Sequence, residues 1–143
     1  MEFYDVGKLA NSYQRACEQK SIFVSRLFEY IHQMGDRQFI EHVKPKDVLK
    51  LFDCEVKLVH RAASVAGRED FYCALDFIYQ KSKDDEIKLL TFYFDEYGYV
   101  FIKKEDKFEQ ALTSHEADML IPRTFNEKVL LPVSLALLEQ LQD

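Results

Sequence analysis

The sequence has few of the residues that interrupt regular structure, with only 4 glycines and 3 prolines among 143 residues. Hydrophobic residues make up 48% and aromatic residues 14%, which is typical of an ordered globular protein rather than a disordered one. The chain has no internal repeat, low-complexity tract or linker, and its length is that of one common domain. We therefore expect residues 1–143 to form a single domain.

Cysteines are also few, and long apolar runs are missing. Cys17, Cys54 and Cys73 are odd in number and far apart, which indicates neither a disulfide framework nor a zinc site. The opening residues, MEFYDVGKLA, are acidic and have no apolar core, so we expect no signal peptide. No apolar run is long enough to predict a membrane span. These absences together predict a cytoplasmic protein.

Basic residues are in the minority. The chain has 19 Lys and Arg against 25 Asp and Glu, a net charge of −6. Residues 105–143 contain eight of these acids and three of the bases, so they carry −5 of that charge. An acidic chain does not attract phosphate backbones or anionic lipid headgroups. We therefore expect no nucleic-acid partner and no membrane partner, whereas a basic protein partner is compatible with the charge.

The first third of the chain has a helical pattern. Apolar residues recur every three or four positions from Val6 to Met34, which predicts a long N-terminal helical segment. The polar stretch near Ser21 leaves open whether this segment is one helix or two. A short helix is expected at residues 39–43, ended by Pro45, and one or two further turns at residues 47–52.

The pattern then changes to strands and returns to helices, which predicts an α+β fold. Alternation over residues 54–104 predicts a four-stranded antiparallel meander, because short polar turns join the strands. A helical stripe at residues 108–119 and another after Pro132 predict C-terminal helices packed on the sheet.

The third and fourth predicted strands are apolar on both faces, unlike strands of a sheet with one solvated face. We expect Phe92, Phe94 and Phe101 to lie in the core. The opposite face would carry Leu89, Tyr93, Val100 and Ile102, with Tyr97 in the turn. Burying a large aromatic side chain contributes roughly 1.5–3 kcal/mol, so exposing several is costly. Helices could cover both faces, a partner or second copy could cover one, or a curved sheet could surround a pocket.

No motif in the sequence indicates chemistry by itself. The histidines at 32, 42, 60 and 115 lack metal-binding spacing, and the glycines at 7, 35, 67 and 98 form no phosphate-binding loop. The strand after Gly98 begins Tyr-Val-Phe-Ile, but acidic residues precede this glycine, so the RNA-recognition consensus is not met. We predict no catalytic residues, no metal and no cofactor, and enzymatic activity is not expected.

These features favour a small acidic interaction protein of the inhibitor, immunity-protein or chaperone type. It would bind a protein partner, or a second copy of itself, through an aromatic sheet face with an acidic rim. Acidic turns at the two ends of the third predicted strand would supply the rim. The predicted contact residues are Leu89, Tyr93, Tyr97, Asp84, Asp85, Glu86, Asp95 and Glu96.

An alternative is based on residues 23–43, FVSRLFEYIHQMGDRQFIEHV. This stretch resembles the opening of NTF2-like pocket domains, in which a helix, a Gly-Asp pair and a short helix precede the sheet. The resemblance implies a curved sheet around a cavity that binds a small molecule or holds the catalytic residues of a small enzyme. It implies Asp76 and His60 as candidates for an Asp/His pair in that cavity.

Overall fold

The computed structural model describes residues 3–34 and 39–143 and has the predicted α+β class. Helix α1 (Phe3–Gln33) precedes one sheet, and short helices follow it. The strands are β1 (Ile40–His42), β2 (Val48–Leu51), β3 (Cys54–Ser64), β4 (Phe71–Ser82), β5 (Asp85–Phe94), β6 (Tyr99–Lys104) and β7 (Lys107–Thr113). The later helices are α2 (Ser114–Asp118), α3 (Pro122–Phe125), a π-helical turn (Asn126–Leu130) and α4 (Leu131–Gln140).

All seven strands form one antiparallel meander, in which each strand pairs with the next along the chain. Four of them, β3–β6, are the predicted meander. The prediction of only four strands was wrong, because β1 and β2 replace the short helix expected at residues 39–43 and the turns expected at 47–52. Strand β7 likewise replaces most of the helical stripe expected at 108–119, of which only α2 is helical.

Two hairpin turns explain why these strands were missed. Leu51 pairs with Cys54, so Phe52 and Asp53 form a two-residue loop with φ of 50° and 64°. The β6–β7 loop, Glu105-Asp106, has φ of 49° and 67°. Two-residue hairpin loops in this conformation usually contain Asn-Gly or Asp-Gly. Neither loop contains glycine, so the sequence gives no strong turn signal at either position.

Helix α1 is one continuous helix, which decides between the one-helix and two-helix predictions. It packs on one side of the sheet, here called the inner face, together with the C-terminal helices. The ring of Phe23 meets those of Phe92 and Phe94 edge-on, with centroids 5.7 and 5.2 Å apart. The buried strand residues of this core include Leu49, Leu51, Val56, Cys73, Leu75, Phe77, Phe92, Phe94, Val100 and Leu112.

The predicted facing of several strand residues was partly wrong. Phe92 and Phe94 are fully buried in the inner core, as predicted, but so is Val100, while Phe101 lies on the opposite, outer face. The cause is the β5–β6 register, which pairs Phe101 with Tyr93 and Val100 with Phe94. Ile102 follows Val100 by two residues and also packs against the inner core, since strand side chains alternate.

Candidate functional site

Four aromatic residues from adjacent strands meet on the outer face: Tyr72 of β4, Tyr93 of β5, Phe101 of β6 and Phe108 of β7. We call them the outer aromatic cluster. The rings of Phe101 and Phe108 are stacked with centroids 4.7 Å apart. Phe108 also meets Tyr72 and Tyr93 edge-on, at 5.3 and 5.5 Å. The strand register places these rings side by side, so they form one continuous apolar patch.

Cations rather than a helix cover this cluster. The apolar residues that pack there come only from the strands and the β3–β4 loop, among the residues the structure describes. The Arg68 guanidinium lies 5.5 and 5.8 Å from the ring centroids of Phe108 and Phe101, and Lys103 Nζ lies 5.6 Å from that of Tyr93. Tyr93 is nevertheless only 8% exposed. The long side chains bury apolar surface while their charged ends stay in solvent.

Asp76 lies next to the cluster on β4 and is only 3% exposed. Its carboxylate accepts hydrogen bonds from Arg61 Nε at 2.8 Å and Thr91 Oγ1 at 2.6 Å, and Lys88 Nζ lies 3.8 Å away. Burial acts to raise the pKa of Asp76, but these hydrogen bonds and the charges of Arg61 and Lys88 lower it below its ordinary value. Asp76 is therefore ionised at neutral pH and fixes both cations above the sheet.

The outer face thus carries a set of exposed cations that we call the cationic rim: Arg61, Arg68, Lys88 and Lys103. With Asp76 beneath them, these four positive groups and one negative group sum to +3. The chain as a whole carries −6. The same face also carries acidic groups, namely Glu86, which pairs with Lys57, and Asp70 and Asp95, which lie near Tyr72, so the outer face combines both signs of charge.

The predicted acidic rim is divided between the two ends of β5. Residues 84–86 lie at its start, and Asp95 and Glu96 lie just beyond its end. A ten-residue strand is roughly 30 Å long, so these groups do not form one cluster. Glu86 forms an ion pair with Lys57, and Glu96 lies 3.4 Å from the Arg15 guanidinium.

The remaining predicted contact residues have different surroundings. Asp95 Oδ1 accepts hydrogen bonds from the backbone N–H groups of Tyr97 and Tyr99, both at 2.9 Å, so it orders the β5–β6 turn. Tyr97 extends from that turn and is 75% exposed. Leu89 is the extra residue of a bulge in β5 and packs against the inner core. Tyr93 is the only predicted contact residue within the outer aromatic cluster.

The residues considered for catalysis are not brought together. Asp76 pairs with Val59 across β3–β4, while His60 is the next residue along β3, so the two side chains point to opposite faces. The Asp/His pair implied by the NTF2-like resemblance is therefore not formed. Gly35 and Asp36 of that resemblance lie outside the described residues, and the short helix expected after them is strand β1.

The buried cysteine is not an activated nucleophile. Cys73 is buried on the inner face, and burial, with the neighbouring Cys17 thiol, raises its pKa to about 12. A thiol with that pKa is protonated at neutral pH and reacts slowly. In the residue ranges that the structure covers, no group of three or more His, Cys, Asp or Glu is placed to bind a metal ion.

The cationic rim was missed because each of its residues resembles an ordinary solvated residue in the sequence. Arg61 and Lys88 lie on strands and Lys103 near a strand end, where polar residues on an outward position are common. A signal was nevertheless present, because Lys57, Val59 and Arg61 alternate with the buried Val56 and Leu58. That alternation identifies Arg61 as outward-facing on the same side as Val59.

Comparison with known proteins gives no indication of family or function: no family model, curated protein or solved structure matches this chain. In the parts of the chain that the structure describes, no helix is long and apolar enough to span a membrane. The geometry of the outer face is therefore the main guide to function.

Proposed function

We propose that this chain is a protein-interaction module without catalytic activity, and that it binds its partner on the outer face of the sheet. The observation that carries the proposal is the outer face, which no helix of the described residues covers and where the outer aromatic cluster and the cationic rim lie together. Aromatic residues and arginine are the residue types enriched at energetically important positions of protein interfaces. Inhibitors, immunity proteins and chaperones act through preformed surfaces of this kind.

Preorganisation supports the proposal. Arg61 and Lys88 are held by Asp76, while Arg68 and Lys103 lie over aromatic rings. Fixing a long side chain on binding costs about 0.5–1.5 kcal/mol, and a side chain already fixed avoids most of that cost. A partner would therefore meet a surface that needs little rearrangement.

A photo-reactive residue at Val59 tests the proposal directly. Val59 lies on the outer face opposite Asp76 and is 39% exposed, so a probe there reaches the partner without disturbing the core. Val6 of α1, which is 52% exposed on the helical side, is the matched control. In cells of the source organism, we expect a defined protein adduct at position 59 that excess unlabelled protein suppresses, and none at position 6.

The adduct must then be reproduced with the purified partner at fixed stoichiometry. Equal adducts at both positions, or a defined adduct only at position 6, would place the partner elsewhere and contradict the proposal.

A second candidate function is self-association. One observation indicates that two copies would meet through helix α4 rather than through the sheet. Two outer faces in contact would bring their cationic rims together, which is repulsive. Leu131, Leu135 and Leu138 are instead 51%, 52% and 60% exposed at helical spacing, and residues 131–138 of α4 contain no charged side chain. A second copy would supply a matching leucine stripe. Sedimentation of the native protein and a Leu135→Glu variant tests this candidate, and a monomeric native protein would exclude it.

A further inference from the structure

We propose that His32 and His42 form a proton-sensitive contact, which joins the edge strand β1 to the end of helix α1 and opens when both imidazoles are protonated. His32 lies in the last turn of α1, and His42 is the last residue of β1. His32 Nε2 is 3.1 Å from His42 Nδ1. We call this pair the histidine contact. It lies on the side of the sheet that α1 covers, so it does not depend on the proposed binding surface.

The Lys46 carbonyl fixes the tautomer of neutral His42. This carbonyl lies 2.8 Å from His42 Nε2 and can only accept a hydrogen bond, so Nε2 carries the proton. His42 Nδ1 is then an acceptor, and His32 donates to it from Nε2. The His42 ring is also stacked on Phe28, with centroids 3.7 Å apart and planes 2° from parallel. The acceptor nitrogen is therefore held in a fixed position facing His32.

The number of protons on the pair decides whether the histidine contact holds. With one extra proton, a single N–H still lies between the two facing nitrogens, and a hydrogen bond with one charged member is stronger than a neutral one. With two extra protons, both facing nitrogens are N–H donors and neither can accept. Two positive rings cannot keep these nitrogens 3.1 Å apart, so the contact opens.

The charges around the pair also oppose the second proton. The carbonyl end of α1 attracts positive charge, which helps the pair to accept its first proton. Partial burial, the Lys44 ammonium and the other imidazole of the pair nevertheless lower the pKa of His32 below its ordinary value of 6.5. A lowered pKa in the folded protein means that the contact is complete above the ordinary pKa and is lost as pH falls through the lowered one.

Among the residues that the structure describes, the acidic residues nearest in sequence to the pair are already paired or point away. Glu41 precedes the β1 histidine, so its side chain points to the opposite face of the sheet. Glu29 lies one turn before His32 and accepts a hydrogen bond from Arg26 at 2.6 Å, which compensates its charge. The β2 residue opposite the β1 histidine is Leu49, which is uncharged and fully buried. These neighbours therefore do not stabilise a second positive charge.

Strand β1 depends on contacts of this kind, because it has only three residues and lies at the edge of the sheet. Short edge strands open locally at a lower free energy than central strands. Two backbone hydrogen bonds report on its pairing with β2: Val43 N–H donates to the Val48 carbonyl at 2.9 Å, and Phe52 N–H donates to the Phe39 carbonyl at 2.7 Å. Opening of the histidine contact should therefore appear as faster hydrogen exchange at these two amides.

A metal ion shared by the two rings is the competing interpretation, and the ring geometry disfavours it. Two nitrogen ligands of a tetrahedral ion approach it from different directions, each about 2.0–2.1 Å away. The ring centroids of His32 and His42 are 5.2 Å apart, which exceeds the distance between the two nitrogens by 2.1 Å. Both nitrogens thus lie close to the line that joins the rings, and they point at each other rather than at a common third position.

NMR of the histidine rings tests the proposal on the unmodified protein. The protein is labelled with 15N-histidine, kept in EDTA to remove metal ions, and titrated from about pH 8 to about pH 5. At the high end, we expect His42 to carry its proton on Nε2. The pair should take up two protons in separate steps, about one pH unit or more apart, with the second below the ordinary value of 6.5. His60 and His115, which lie outside the contact, are the internal references.

Amide hydrogen exchange measures the effect on β1. His32→Gln is the test variant, because a side-chain amide can donate or accept near the position of Nε2 and takes up no proton in this range. His60→Gln is the matched control at another exposed histidine. In the wild type and the control, protection of the Val43 and Phe52 amides relative to amides of β4 should fall about fivefold between about pH 7.5 and about pH 5. His32→Gln should lose this pH dependence.

Three results would overturn the proposal: titration of both rings in one common step, an equal fall in protection in His32→Gln, or no fall in the wild type. Both substituted positions are exposed, so both variants should fold, and thermal unfolding checks this. The ring titration needs neither variant. None of these measurements involves the partner or the outer face, so they can fail while the proposed function stands, and the reverse.

Discussion

The two faces of this sheet both carry aromatic residues, yet they bury them in different ways. On the inner face Phe92 and Phe94 are fully buried against Phe23 of α1. On the outer face their neighbour Tyr93 is also nearly buried, although Lys103 and Phe108 cover it instead of a helix. Adjacent residues of β5 are thus buried to a similar extent, although apolar residues cover those on one face and cationic side chains help to cover those on the other.

The difference separates a face closed by helices from a face covered by side chains alone, and the second is the face that we propose for binding. Helical cover removes apolar surface and presents the polar side of the helix to solvent. Cationic side chains shield apolar surface from solvent with their flexible aliphatic stems, and they hold their charged ends directly above the sheet. The inner face should therefore dominate the free energy of unfolding, while the outer face should contribute less to it and more to binding.

The largest expected effect comes from deleting one ring on each face. Phe92→Ala should lower the free energy of unfolding by about 4 kcal/mol, because it leaves a cavity in a closed core. Phe101→Ala should lower the free energy of unfolding by about 1 kcal/mol. The site of Phe101 is partly open, and the Arg68 side chain can move into the space that the ring leaves. Chemical denaturation of both variants measures the difference. Equal losses would mean that cationic cover stabilises aromatic burial as well as helical packing does.

The strands in the middle of the sheet could be predicted from the sequence. Strands β3–β6 were predicted because their apolar alternation is long and charged turns separate them. The core positions of Phe92 and Phe94 were confirmed. The reversal of Val100 and Phe101 has a physical cause, since a register change of one residue across the β5–β6 turn exchanges the two faces. The turn residues alone do not specify that register.

Strands β1, β2 and β7 could not be recognised for a different reason. Strands of three or four residues, such as β1 and β2, are too short for a period of two to be distinguished from a helical turn. Strand β7 is longer, but the spacing of Phe108, Ala111 and Leu112 also fits a helix, and Ala111 is out of phase because of a bulge. Only pairing with β6 decides between the two.

The candidate site could be predicted only in part. Tyr93 was placed on the face opposite Phe92, which the structure confirms. The contact between Arg61 and Asp76 joins residues fifteen positions apart and depends on the β3–β4 register, in which Arg61 pairs with Ala74 and Val59 with Asp76. Alternation gives the face of each residue but not its neighbour on the next strand.

The next largest effect is expected at Asp76, where the outer face contains its own buried charge. Asp76→Asn should lower the free energy of unfolding by about 2 kcal/mol at neutral pH, because it removes the carboxylate that holds Arg61 and Lys88. Asp84→Asn, in an exposed turn, is the control and should change stability little. A loss at Asp76 no greater than that at Asp84 would show that this ion cluster does not stabilise the fold.

The Asp76 effect should also depend on pH in a defined direction. The pKa of Asp76 is lower in the folded protein than its ordinary value of 3.8, so folding is favoured by the ionised form. This contribution is fully present above the ordinary pKa and is lost as pH falls through the folded value. The difference in free energy of unfolding between the wild type and Asp76→Asn should therefore become smaller below about pH 4. A gap that stays constant with pH would indicate a packing defect rather than a lost charge.

The smallest expected difference compares two glycines, one on each side of the sheet. Gly98 and Gly67 have φ of 90° and 81°, so alanine is strained at both, at a cost of about 1 kcal/mol. A Cβ at Gly67, in the β3–β4 loop, meets nothing within 4 Å. At Gly98 it would overlap Ser114 Oγ and lie 2.9 Å from Gln19 Oε1, two groups that hydrogen-bond to each other.

Gly98→Ala should therefore cost about 1 kcal/mol more than Gly67→Ala, since Ser114 must rotate and give up its hydrogen bond to Gln19. Thermal and chemical unfolding of the two variants isolates this difference, because the backbone strain is common to both. Ser114→Ala combined with Gly98→Ala removes the nearest overlapping atom and should recover part of the extra loss. If the two single variants lose the same stability, the β5–β6 turn is no more tightly held against α1 and α2 than the open loop of the outer face.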